Sequence, residues 1–310
     1  MSGISASLTG AGLSGRSTLQ GSGGAAHAGI SAAAARYSRT MDQVSSGRAI
    51  GQPSDDVIGT DKALGIRQAL AAEERFARAS TDATSWLSTT DTALGNGATT
   101  LNRVRDLTVR AGAESMSAQE REAIATEIRG LRSEMLATTN ATYLGRPVFG
   151  GTTGTGKAFT EVDGVVAPTA DPGTGVVRRA LAPGVEVRVD TSRAQAFGEG
   201  ETSVFAVLDR VEKAVTAGSA ESSAALTDVD GALGRLRTAW TDVGTRYAQV
   251  DRLRSTGTDR SLSLTAAKAD VEEVDLAKSL MELSMHEKAY QAALGAAAKV
   301  VTPTIMDFLR

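Results

Sequence analysis

The chain has 310 residues, 33 basic against 36 acidic, a formal charge of -3, only 4% aromatics and no cysteine. That length allows one large core or two to three domains, while abundant Ala and Gly with so few aromatics point to thin helical packing rather than a compact enzyme-like globule. The near-balanced charge gives no footprint for nucleic acid, and the missing thiols exclude disulfides, thiol catalysis and Cys-based metal sites.

No apolar run approaches membrane-spanning length, so membrane insertion is not expected. Residues 1–8 lack a basic stretch followed by an apolar one, so no ordinary cleavable signal peptide is visible. An exported chain would leave by a route that needs none.

Residues 1–29 hold eight glycines, a density that opposes helix and predicts a loosely ordered segment in an isolated monomer. Helix is expected over residues 32–43, stopped at Ser46-Gly47. Pro53-Ser54-Asp55-Asp56 reads as a turn whose side chains cap the next helix. That helix, residues 60–111, has heptad spacing through Ile66, Leu70, Ala77, Ser80, Leu87, Leu94 and Leu101, with Phe76, Trp86, Val104 and Leu107 beside it. Its fifty or so residues predict a rod on the order of 75 Å. A short link at residues 115–118 leads to a second helix with Ile124, Ile128, Leu131 and Met135 on one face, so the two helices are antiparallel neighbours.

Beyond Asn140 a Gly, Thr and Pro-rich tract runs to about residue 200, and Val185-Glu186-Val187-Arg188-Val189-Asp190 alternates as a half-buried strand. Helix returns near Thr202. The unbroken series Val229, Leu233, Leu236, Trp240, Val243, Tyr247 and Val250 is the cleanest coiled-coil seam, expected to pair with residues 66–101.

A last helix is expected over residues 258–301, ended by Pro303. Leu276, Leu280, Leu283, Glu287, Tyr290, Leu294, Ala297 and Val301 form its seam, broken only by Glu287. A second strip of Ala277, Met281, Met285, Ala289, Ala292 and Ala296 widens the apolar face beyond what one partner covers. The final residues keep Ile305, Met306, Phe308 and Leu309, so the C-terminus reads as a contact surface.

Little here suggests catalysis. Gly151-Thr152-Thr153-Gly154-Thr155-Gly156-Lys157 fills seven positions of a phosphate-binding loop, but Ala158 stands where Ser or Thr should hold magnesium. The stretch from Phe159 to Gly164 then reads as strand and turn instead of the required helix. His27 and His286 lack an oriented partner or a zinc spacing. Asp55 and Asp56 are explained by capping better than by calcium, Glu272, Glu273 and Asp275 read as a solvated helix face, and no Gly-x-Ser-x-Gly elbow occurs. No cofactor, no metal and no enzymatic activity are expected.

The segment Ser45-Ser46-Gly47-Arg48-Ala49-Ile50-Gly51-Gln52-Pro53-Ser54-Asp55-Asp56 closely resembles the N-terminal signature of the bacterial flagellin family. The resemblance continues through Asp91-Thr92-Ala93-Leu94 and Arg105-Asp106-Leu107-Thr108-Val109, and resumes at Val274-Asp275-Leu276-Ala277, Tyr290-Gln291-Ala292-Ala293 and Ile305-Met306-Asp307-Phe308-Leu309-Arg310. Tyr143-Leu144-Gly145-Arg146-Pro147-Val148-Phe149-Gly150-Gly151-Thr152 is similar to the Gly-Arg-x-x-Phe-x-Gly-Thr stretch of that family's junction branch. Gly51 and Val57 depart from the residues the family often carries there.

The resemblance implies a mainly α fold, a long antiparallel helical bundle or coiled coil built by both chain ends around a small β-rich insertion. The expected divisions are residues 1–58 paired with 258–310, 59–147 paired with 202–257, and 148–201 as the insertion. It also implies a structural flagellar subunit joining hook to filament, the filament subunit itself being the alternative. Implied partners are a ring of its own copies, the first hook-associated protein below, flagellin above and an export chaperone. Export would pass through the flagellar type III apparatus. Leu276, Leu280, Leu283, Leu294, Phe308 and Leu309 are the expected assembly surface.

Overall fold

The computed structural model describes residues 14–152, 156–162, 164–169 and 175–301. Its helices are α1 (Ser14–Ser46), α2 (Val57–Ala111), α3 (Ala118–Thr139), α4 (Arg193–Phe197), α5 (Val204–Ala217), α6 (Ser219–Glu272) and α7 (Leu276–Val301). Between α3 and α4 lie β1 (Thr142–Tyr143), β2 (Arg146–Pro147), β3 (Phe159–Val162), β4 (Val165–Pro168), β5 (Arg178–Ala182) and β6 (Val185–Arg188). Two compact units result: residues up to Leu70 with those from Ser263 onward, and Ala71–Leu262.

The second unit is a bundle of α2, α3, α5 and α6. Leu87, Leu94, Leu101, Val104 and Leu107 of α2 are buried together with Val229, Leu233, Leu236, Val243 and Val250 of α6, so the expected seam pairing forms. Cross-links fix its antiparallel sense: Arg105 pairs with Asp230 at 2.7 Å and Arg260 with Glu73 at 3.2 Å, low residue numbers meeting high ones. Exposed ion pairs of this kind contribute about 0–1 kcal/mol each, so they orient the helices while the apolar seam stabilises them.

Three seam positions differ from expectation. Trp240 and Tyr247 are about as exposed as they are covered, 37% and 41%. Trp240 lies at the bundle edge because its indole N–H reaches the Asp91 carboxylate and its ring rests against Gly95, where an added Cβ would come within 3.4 Å. Ala77 of α2 is exposed; the neighbouring Glu73 is buried, held by Arg260.

α3 starts on a reciprocal cap in which the Ser117 hydroxyl accepts from the Glu120 amide and the Glu120 carboxylate accepts from the Ser117 amide. It is tied to α5 through Arg129–Glu212 and Arg132–Asp209, each at 2.8 Å.

The insertion consists of three separate two-stranded antiparallel hairpins. In the first, Thr142 faces Pro147 and Tyr143 faces Arg146; the two turn residues Leu144 and Gly145 both have positive φ, 48° and 77°, as a type I′ turn requires. Asn140 governs the second. Its side-chain carbonyl accepts from the Ala158 and Phe159 amides at 2.8 and 2.9 Å while its amide donates to the Phe159 carbonyl at 2.9 Å. Phe159, Phe149, Phe197 and Phe205 then close an aromatic cluster with edge-to-face and tilted contacts. The expected strand appears as β6, with Glu186 exposed and Val187 buried. Asp190 breaks the expected alternation: it is buried because its carboxylate accepts from the Val177 amide at 2.9 Å and from Arg188.

Two helix limits also differ. Residues 14–29 are helical despite their glycines, which cost roughly 1 kcal/mol each. Packing of α1 along α7 offsets that penalty. Residues 1–13 lie outside the described residues. The expected helix over 258–301 is interrupted at residues 273–275, where the backbone leaves the helix to pair with another segment.

Candidate assembly surface

That interruption organises the first unit. Arg48 and Glu273 form an isolated antiparallel bridge, flanked by the Ala49 amide donating to the Glu272 carbonyl at 2.8 Å and the Val274 amide donating to the Gly47 carbonyl at 3.1 Å. Gly47 supplies the positive φ of 69° with which α1 stops, the stop expected from Ser46-Gly47. Asp275 restarts the helix, its carboxylate accepting from the Lys278 amide at 3.1 Å.

Glu272 is therefore no solvated face. It is 6% exposed, with Arg67 at 2.8 Å and Arg48 at 3.8 Å. Below it, the Asp55 carboxylate accepts from the Gly51 and Gln52 amides, and the Asp56 carboxylate caps α2 by accepting from Gly59 at 2.9 Å. Both aspartates thus hold backbone, and the expected cap is Asp56.

Away from this crossing, α1 and α7 run antiparallel, with Tyr37 and Tyr290 stacked at 6.4 Å and 9° between planes. The covered positions of α1 include the series Ala26, Ile30, Ala33, Tyr37, Thr40 and Val44, spaced alternately four and three apart, with Ala34 and Gln43 beside it. Those of α7 include Ser279, Leu283, His286, Tyr290, Ala293 and Ala297, with the same spacing, and Glu282 beside them. The intrachain seam thus runs through His286 and bypasses Glu287, which differs from the expected stripe. Leu283 lies inside this register, and Leu276, Leu280 and Leu294 lie outside it.

Leu276 and Leu280 remain 54% exposed, Leu294 42%, Met281 68% and Met285 59%. With 3.6 residues per turn the three leucines fall on one side of the covered stripe, Met285 beyond its other side and Met281 nearly opposite it. Ala277, Ala289, Ala292 and Ala296, expected beside the methionines, are exposed as well. Leu283 is half-buried, and Phe308 and Leu309 lie outside the described residues. Met41, Val57, Ile58 and Leu64 of the same unit are also exposed.

The phosphate-loop resemblance comes to a strand: Lys157 runs into β3, and its carbonyl accepts from the Thr169 hydroxyl at 2.9 Å. Thr153, Gly154 and Thr155 lie outside the described residues. Among the described residues no group of three or more His, Cys, Asp or Glu could hold a metal ion, and no helix is long and apolar enough to cross a membrane.

The junction-like segment at residues 143–152 is anchored by Trp86, 1% exposed. Tyr143 meets it edge-on at 5.7 Å, and the Arg146 and Arg179 guanidinium carbons lie 5.5 and 6.0 Å from its ring centroid. Arg179 is in turn held by Asp82 at 2.6 Å. Spacing alone makes Trp86 a flank of a seam and assigns Asn140 and Glu272 no such roles.

The helices of the two chain ends pair with each other and leave apolar flanks bare, and the chain between them carries a small β insertion, an organisation similar to that of flagellin-type chains. The model of the bacterial flagellin N-terminal helical region matches residues 20–153. The chain is similar to flagellar hook-associated protein 3 of Escherichia coli, 26% identical over 298 residues, 86% of this chain and 90% of that one. It is also 26% identical to the flagellin of Bacillus subtilis over 288 residues, 88% of this chain and 92% of that one. Among solved structures, the flagellar junction protein FlgL of Legionella pneumophila shares the fold with a TM-score of 0.57 at 15% identity, covering 69% of this chain and 100% of that one.

Proposed function

We propose that this protein is a structural subunit of the bacterial flagellum, forming the junction between hook and flagellin filament and working by helix burial without catalysis. The observation that carries the reading is the bare apolar surface of α7: five large side chains stay exposed although the seam facing α1 is already filled. Leu276, Leu280, Leu283 and Leu294, with Phe308 and Leu309, form the docking surface, stabilised by roughly 25 cal/mol per Å² of apolar area removed from water. The neighbours are other copies in a ring, the first hook-associated protein below and flagellin above. Before assembly an export chaperone covers the C-terminal helix, and the chain passes unfolded through the type III apparatus to the flagellum.

The filament subunit is the second reading. The segment from Tyr143 to Thr152 favours the junction, being similar to that branch and built into the structure through Trp86. A deletion strain viewed by electron microscopy tests the choice. Intact hooks, with filament protein shed into the medium, support the junction; long filaments growing from the purified chain alone would transfer the assignment to the filament subunit.

A further inference from the structure

A cavity of about 200 Å³ in the second unit lies between β4 and the start of α5. Arg193 lines it and is 9% exposed. Among the described residues its Nη1 donates to the Thr169 carbonyl at 3.2 Å, while the buried Nε has no partner. Among the described residues no carboxylate stands within ion-pair distance of it, an unfavourable state for a buried cation. Other arginines of this unit, such as Arg132, Arg188 and Arg210, each hold an acidic partner.

The second observation is independent. Ser203 precedes α5 without making a side-chain cap, and Ser203, Phe205 and Ala206 all line the same cavity. The first amides of a helix point outward unsatisfied and carry its positive end. Gly198 and Gly200 form the facing rim; at Gly198, with φ of 75°, a Cβ would fall 2.3 Å from the Thr202 carbonyl oxygen, so the loop is drawn tightly onto the helix start. Two carboxylates also border the space: Arg132 holds that of Asp209 at 2.8 Å, and Glu199 stands at the outer rim, exposed to water. The remaining walls include Phe159, Val165 and Pro168.

We propose that this cavity receives a carboxylate carried on a short aliphatic stem, its charge met by Arg193 and the α5 N-terminus and its stem by the apolar walls. The volume suits one such group and is too small for a nucleotide. A planar guanidinium matches a planar carboxylate.

The test uses the full chain, isotopically labelled, titrated with propionate against sodium chloride at constant ionic strength while the amide signals of Phe205 and Ala206 are followed. Saturable shifts are expected, weakened on the order of tenfold or more in Arg193→Gln. Ser203→Asp leaves Arg193 in place and supplies a competing carboxylate at the helix start, so it should reduce the response several-fold even if Arg193→Gln fails to fold. Absence of saturable shifts in the unaltered chain, or an undiminished response in Ser203→Asp, overturns the proposal. Inorganic phosphate binding more tightly than propionate would overturn the carboxylate assignment.

Discussion

Replacing both Leu276 and Leu280 with aspartate separates assembly from folding. Each side chain is 54% exposed on α7. Full burial of a leucine contributes about 1.5–3 kcal/mol, so covering the exposed half contributes roughly 1–1.5 kcal/mol per residue and about 2–3 kcal/mol for the pair. At 1.4 kcal/mol per factor of ten, attachment weakens roughly 30- to 100-fold for each subunit contact, before desolvation of two carboxylates adds to the loss. The isolated chain should barely change, because exposed substitutions stay within about 0.5 kcal/mol each. Leu236→Ala is the opposite case: Leu236 is 1% exposed, and its truncation should cost about 2–5 kcal/mol of folding stability. The assay pairs motility and filament retention in a strain making the variant with thermal melting of the purified protein. Normal motility in the double variant, or its melting well below the parent, would refute the claim that these leucines serve other chains.

Glu272→Ala removes the carboxylate shared by Arg48 and Arg67; since both arginines reach water, the cost should be near 1–2 kcal/mol, read as faster hydrogen exchange at the Ala49 and Val274 amides. Gly130→Ala should stabilise the protein by about 0.5–1 kcal/mol in denaturant melts, because Gly130 lies inside α3 with nothing within 4 Å of an added Cβ. The Glu120 carboxyl is held below its ordinary 4.5 by the Ser117 amide and then by the Ser117 hydroxyl. A lowered folded value means its contribution is fully present above 4.5 and fades as pH falls through that lowered value. The melting difference between the parent and Glu120→Gln should therefore shrink on acidification, and a difference independent of pH would contradict the cap's charge.

The long-range pairing of Leu87, Leu94 and Leu101 with Val229, Leu236 and Val243 was legible because heptad spacing survives in both helices. The break at residues 273–275 was not, since Glu272-Glu273 looks like any solvated face until Gly47 and Arg48 are brought alongside. Of the expected α7 seam, Leu283, Tyr290 and Ala297 are covered, while Leu276, Leu280 and Leu294 stay exposed. Ser279, His286 and Ala293 complete the covered stripe although they are less apolar than Leu276, Leu280 and Leu294, which the apolar pattern of α7 alone does not indicate. Asn140 and Arg193 gave no pattern at all, because their importance comes from distant backbone and an empty space. The capping aspartates and the strand after Lys157 were readable, both resting on local chemistry.

The unlike edges of α7 bear on how copies can associate. A two-fold pair built on either edge alone would cover that edge in both copies and leave the other wet. Drying both kinds at once calls for a different neighbour on the left and on the right, a head-to-tail arrangement that must close into a circle or continue as a spiral.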